Sequence, residues 1–142
     1  MQVAAEYVAL FVWSFLAATL LPVGSELPFA VLMRDQGQLL LPILVATSGN
    51  SLGAFTTYWL GRRAAAFAEG RHAVTPRAQR AAELVRRHGQ PIVAFSWVPL
   101  LGDALVAAAG AARMPVAQFG AWMVLGKLAR YAVVAWTVLR FE

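Results

Sequence analysis

The chain has 142 residues, of which 60% are hydrophobic and 13% charged, with a mean hydropathy of +0.62 and a formal net charge of +5. So little charge with so much apolar character excludes an ordinary soluble domain and identifies an integral membrane protein. No cysteine is present and the only two histidines, His72 and His88, share one polar segment, so no metal site, thiol chemistry or cofactor is expected.

The first apolar run extends from Val3 to Met33 and is interrupted by "LLPVGSELP", residues 20–28. Before the break, Val8 to Leu21 is 14 residues long, and after it Leu27 to Met33 is seven. A helix needs about 20 residues to cross a bilayer. The arm lengths predict a helical hairpin that enters the membrane and returns, broken at Pro22 and Gly24, with Glu26 at its tip. One long kinked span over 3–33 is the alternative, since prolines occur in transmembrane helices. The N-terminus has neither a basic n-region nor a small-residue cleavage site and reads as mature structure.

Leu39 to Leu60, 22 residues, is the first full span. Near its middle lies Asn50, with Thr47, Ser48 and Ser51 beside it, and Gly49 and Gly53 suit close helix packing. Residues 61–90 follow, with seven arginines against Glu69 and Glu83, and they supply the whole excess charge of +5. By the positive-inside rule this loop is cytoplasmic and both termini lie on the opposite side. Membrane lipids, and anionic head groups in particular, are the expected partners of these arginines; nucleic acid is not. Within the loop Thr75 reads as an N-cap, Pro76 as the first helical residue and Gly89 as the stop. Ala78, Ala81, Ala82 and Val85 give the helix between them an apolar stripe, and Glu83 and Arg87 an i,i+4 pair.

A second hairpin is expected from Ile92 to Val98 and Ala104 to Ala112, broken at Pro99 and Gly102 with Asp103 beside the break. Pro115 to Leu139 is then a second full span of 25 residues. Lys127 is its thirteenth residue, and Arg130 is one turn further on the same face. A charge at mid-bilayer costs at least a few kcal/mol unless it faces the bundle interior with a partner. Glu26 and Asp103 are the natural partners, and the four formal charges sum to zero. The tryptophans read as core or interface anchors.

Shifting the chain by 77 positions lays Pro22 on Pro99, Glu26 on Asp103, Gly49 on Gly126 and Trp59 on Trp136. The expected fold is therefore an all-α integral membrane protein forming a single domain over 1–142. Residues 1–60 are the first repeat of hairpin and span, 61–90 the basic loop and 91–142 the second repeat. Two opposed re-entrant hairpins and two full transmembrane helices then form an inverted repeat, with sites near the midplane where helices break.

The stretches "LLPVGSELP", "SGNSLGAFTTYWLGR", "SWVPLLGDALVAAAG" and "GKLARY" resemble the DedA superfamily, also called SNARE-associated or VTT-domain proteins, and most its short YqaA-like bacterial branch. The resemblance covers nearly the whole chain. It implies opposed re-entrant hairpins and residence in the bacterial inner membrane. It also implies a role in moving lipids between leaflets, as in recycling of the undecaprenyl phosphate carrier or phospholipid scrambling, in some members linked to the proton gradient. Glu26 occupies the position of a functionally important acid of the family. Larger bacterial members carry an arginine at each end of the second hairpin motif, where this chain has Ser96 and Gly102.

Together these readings nominate Glu26 and Asp103 for proton coupling, and Lys127, Arg130 and Asn50 for substrate binding. A homo-oligomer is expected, because so few helices scarcely enclose a path. A membrane scaffold or assembly partner with a structural ion-pair cluster stays open beside the transporter. No nucleotide loop, metal motif or nucleophile with a positioned base points to an enzyme.

Overall fold

Helices α1 (Gln2–Ala17) and α2 (Glu26–Gln36) are the two arms flanking the first break. The computed structural model describes residues 1–19, 25–36, 39–67, 75–98 and 101–140, with Glu26, Asp35 and Gln36 described by backbone alone. Pro22, Gly24 and Pro99 lie outside the described residues. At the end of α1 the Thr19 hydroxyl donates to the carbonyls of Phe15 and Leu16, both at 3.2 Å. It thereby reinforces the last turn, whose carbonyls also accept the backbone N–H groups of Ala18 and Thr19 at 3.1 Å.

Helix α3 (Leu40–Phe67) is unbroken over 28 residues, about 42 Å. Sequence reasoning ends this helix at Leu60, yet it continues for almost two turns into the basic loop. Arginine and alanine are strong helix formers, and the extension reads "GRRAAAF". Arg62 also folds back, placing its guanidinium 5.4 Å from the Trp59 ring centre and donating to the Tyr58 hydroxyl at 3.2 Å.

Helix α4 (Pro76–His88) forms where the loop chemistry places it. The Thr75 hydroxyl accepts from the Ala78 amide at 3.3 Å, and Gly89, at φ +66°, ends the helix. Glu83 bonds Arg87 at 2.6 Å and Arg86 at 2.5 Å, and these two hydrogen bonds hold its carboxyl below the usual carboxylate range. The apolar stripe is narrower than expected: Ala81 and Val85 are buried, whereas Ala82 is exposed. That stripe packs on protein, in one core with α5 and the segment that follows α4.

The following segment, Gln90–Phe95, is a 3₁₀ helix rather than the first α-helical arm of a hairpin. Its looser rise, about 2.0 Å per residue against 1.5 Å, lets six residues reach about as deep as eight α-helical ones. The chain then turns into α5 (Leu101–Ala111) through a hydrogen bond from the Gly102 amide to the Val98 carbonyl at 2.7 Å. A side chain at Gly102 would collide with the Ser96 carbonyl. Arg113, at φ 54°, closes the turn into α6 (Val116–Arg140), the Met114 amide reaching back to the Ala109 carbonyl at 3.0 Å.

Helices α3 and α6 cross antiparallel. Tyr58 stacks on Phe119 with ring centres 4.4 Å apart, and eight residues earlier on α3 Asn50 meets Lys127, eight residues later on α6. Two apolar cores lie on either side of that contact. One holds Tyr58, Ala81, Val85, Leu105, Phe119 and Met123; the other holds Leu10, Phe29, Leu32, Ala46, Tyr131 and Ala135. Each long helix packs against the first arm of its own half and the second arm of the other: α3 on α1 and α5, α6 on the 3₁₀ segment and α2. The approaches are close enough that a Cβ at Gly49 would strike the Phe11 carbonyl, and one at Gly126 the Ala94 carbonyl.

The polarity of the molecule is inverted. Val8, Val12, Leu44, Leu52, Leu125, Val133 and Trp136 are exposed, whereas Ser14, Ser25, Thr47, Asn50, Ser51, Ser96 and Lys127 are buried. Apolar side chains outside and polar ones inside suit a surface that faces lipid. Among the described residues only α6 is both long and apolar enough to cross a membrane by length and composition. Helix α3 has the length, and the hydroxyls and amide it turns inward lower its hydropathy.

Candidate functional site

The layer between the two cores centres on Lys127, which is 3% exposed. Its ammonium donates to the Asn50 backbone carbonyl at 3.0 Å and also to the Asn50 side-chain oxygen. The two residues are 77 positions apart, the same offset that relates the two halves of the sequence. A charge-assisted bond to two acceptors repays part of the desolvation of a buried ammonium.

Four residues beyond Lys127, one turn along α6, the Tyr131 hydroxyl shares a hydrogen bond with Ser25, at the start of α2. Ser14 of α1 and Asn50 of α3 lie beside the same hydroxyl. Phe29 packs on the Tyr131 ring at 5.1 Å and fixes its orientation. The hydroxyls of Ser14, Thr47, Ser51 and Ser96 are buried without a well-formed hydrogen bond among the described residues.

Asp103 sits in the first turn of α5, exposed at the edge of the layer. It acts on Lys127 through space; among the described residues the two form no ion pair. Arg130 is half-buried with its guanidinium 5.9 Å from the Tyr131 ring centre, and it makes further contacts of its own. The Glu26 side chain lies outside the described residues, though its backbone opens α2 next to Ser25. Of the residues nominated from sequence, Lys127, Asn50 and Asp103 therefore converge, and Arg130 adjoins them. Gly102 makes the turn that brings Asp103 there. No group of three or more potential metal ligands occurs among the described residues.

Sequence reasoning passed over Ser14, Ser25 and Tyr131. Each left a faint signal: Ser14 is a lone hydroxyl within the apolar run "FVWSFLAA", and Tyr131 lies at i+4 from Lys127, on the same helix face. Ser25 lies inside the break itself, beside the acidic Glu26.

Comparison with known proteins adds to this geometry. The family model of the VTT domain matches residues 3–138. The chain is 38% identical over 137 residues to inner membrane protein YqaA of Escherichia coli K12, covering 95% of this chain and 92% of that protein. The same values hold for inner membrane protein YqaA of Shigella flexneri. An uncharacterized protein of Haemophilus influenzae is 35% identical over 133 residues, 88% of this chain and 82% of that protein. No solved structure matches.

Proposed function

Because the chain belongs to the VTT-domain family of the DedA superfamily, in its YqaA-like branch of bacterial inner-membrane proteins, we propose that it carries phosphate-bearing lipid head groups across that membrane. The observation that carries this reading is the polar layer at Lys127 and Asn50, held between two apolar cores. Head groups cross a bilayer only where protein replaces their water, and buried hydroxyls, an amide and an ammonium are suitable replacements for the shell of a phosphate.

Depth supports it. Trp59 with Arg62 and Trp136 with Arg140 form two aromatic–arginine clamps, each with the guanidinium 5.4 Å from the ring centre. Trp59 adjoins Tyr58, which stacks on Phe119, and α6 rises about 26 Å from Phe119 to Trp136. That is close to the roughly 30 Å hydrocarbon thickness, with aromatic side chains at both interfaces. Lys127 falls midway.

The hairpins are re-entrant in this reading and the two halves form an inverted repeat. The first arms rest on the glycines Gly49 and Gly126, 77 residues apart, and Asn50 and Lys127 meet on the pseudo-twofold axis. Glu26 and Asp103 stand at equivalent hairpin tips and exchange protons as the head group enters and leaves Lys127 and Arg130. The chain works as a homo-oligomer and without covalent chemistry. Residues 1–60 and 91–142 act as the two halves, joined by the basic segment at the anionic cytoplasmic surface.

A second reading has its own support: Asn50 satisfies Lys127 directly, as a scaffold with a purely structural polar layer requires. Liposomes separate the two. Wild type, Lys127→Met, Glu26→Gln and Asp103→Asn are reconstituted, and a labelled polyprenyl phosphate and a labelled phospholipid are followed between leaflets with and without a pH gradient. Transport predicts flux in the parent, its loss in Lys127→Met and loss of its pH dependence in both acid variants. A parent with no flux for either lipid, in a folded preparation, refutes it.

A further inference from the structure

We infer that the two arginines stacked on tryptophan, Arg62 on Trp59 and Arg140 on Trp136, each bind the phosphodiester of a phospholipid, one in each leaflet. Each guanidinium stands 5.4 Å from its ring centre. The two tryptophans are 77 positions apart, the offset that relates the two halves of the chain. Both lie towards the C-terminal end of their helix, and because α3 and α6 are antiparallel the two pairs face opposite leaflets.

Each arginine follows its tryptophan towards water, three residues on in α3 and four in α6. A helical side chain leans back towards the helix N-terminus, so each guanidinium returns to the level of the indole instead of reaching out into water. Trp59, Trp136 and Arg140 are exposed and Arg62 is half-buried, so both pairs are open to the surroundings. Leu52, two turns before Trp59, and Val133, three residues before Trp136, are exposed as well and offer acyl chains apolar surface beneath each pair. A cation held at head-group height beside such a surface meets lipid phosphate.

Charge and geometry then select the ligand. Among the described residues neither Arg62 nor Arg140 forms an ion pair, in contrast to Arg86 and Arg87, which share Glu83. Stacking occupies the face of a guanidinium and leaves its N–H edge, whose fork matches two oxygens of one phosphate. Arg62 spends one N–H on the Tyr58 hydroxyl at 3.2 Å and keeps four of its five for a ligand. The indole holds the guanidinium in place before a lipid arrives, so less freedom is lost on binding. A sugar head group without phosphate offers neutral hydroxyls alone and forgoes the charge-assisted bonds. These sites stand whether or not the protein moves lipid between leaflets.

The test uses the full chain, equilibrated in nanodiscs of equal phosphatidylglycerol and digalactosyldiacylglycerol with matched acyl chains and then analysed by native mass spectrometry for retained lipid. Wild type should retain two lipids per chain, favouring phosphatidylglycerol about fivefold, the ratio expected of one exposed charge pair at each site. Arg62→Gln and Arg140→Gln should each lower the retained phosphatidylglycerol by one, and the double variant should show no preference. Arg62→Met, whose apolar side chain still packs on Trp59, takes the place of Arg62→Gln should that variant fail to fold. Equal retention of the two lipids by wild type, or a preference that survives in the folded double variant, overturns the proposal.

Discussion

Replacing Asn50 by leucine and Lys127 by methionine, singly and together, tests the polar layer most sharply, because the two residues differ in what each leaves behind. Asn50→Leu deletes the side-chain acceptor and leaves a 3%-exposed ammonium with, among the described residues, only the backbone carbonyl at 3.0 Å as a hydrogen-bond acceptor. Stranding a buried charge in this way costs about 3–5 kcal/mol. Lys127→Met removes the charge itself. The Asn50 amide then keeps the neighbouring Tyr131 hydroxyl as a partner, so the cost falls to about 1 kcal/mol, that of one lost hydrogen bond. The double variant has an apolar pair of similar volume and should unfold within about 1 kcal/mol of the parent or be more stable. The coupling energy in the double-mutant cycle is then at least about 3 kcal/mol, near the upper limit for contacting residues. Unfolding in mixed micelles can be followed by the fluorescence of the five tryptophans. Costs that simply add in the double variant would refute the direct pairing. Lipid flux should stay lost in the double variant although stability returns, which a scaffold role does not predict.

Three other outcomes follow from the geometry. A cysteine at the exposed position Ala82 on α4 should react with an impermeant thiol reagent only after lysis, whereas one at Gln2 should react in intact cells; the reverse pattern would invert the topology. Gly126→Ala should destabilise by about 1–3 kcal/mol through overpacking, because the new methyl meets the Ala94 carbonyl, and the loss should be seen as a lower melting temperature in detergent. Gly89→Ala meets no neighbouring atom but should cost about 1–3 kcal/mol, because φ +66° with ψ −147° is a backbone conformation that is nearly glycine-only.

Much of the fold was legible because the bilayer is a simple solvent. Arm lengths too short to cross, a 25-residue apolar span and a cluster of arginines each answer to one length or one charge rule. Thr75, Pro76 and Gly89 carry their own local chemistry, and α4 begins and ends where they put it. Where several elements compete for one surface, reading along the chain fell short. The apolar stripe of α4 looks the same whether lipid or protein covers it, and here α5 and the 3₁₀ segment do. The second hairpin's first arm looks α-helical by composition, yet it is a 3₁₀ helix with Ala94 backed onto Gly126.

The site divides along the same line. Sequence by itself determined that this is a membrane protein, that Lys127 stands at the middle of a 25-residue apolar stretch and that such a charge needs partners, since polar groups are costly in hydrocarbon. Which partners it has is a matter of distance between segments far apart in the chain, and only the antiparallel crossing of α3 and α6 decided that Asn50 meets the ammonium while Asp103 acts from the edge. The packing of α1 on α3 and of α2 on α6 brings Ser14 of α1, Ser25 just before α2 and Tyr131 of α6 into the same layer. A hydroxyl in an apolar run costs little to place and so leaves almost no trace in the sequence. Its role depends on what the tertiary fold sets opposite it.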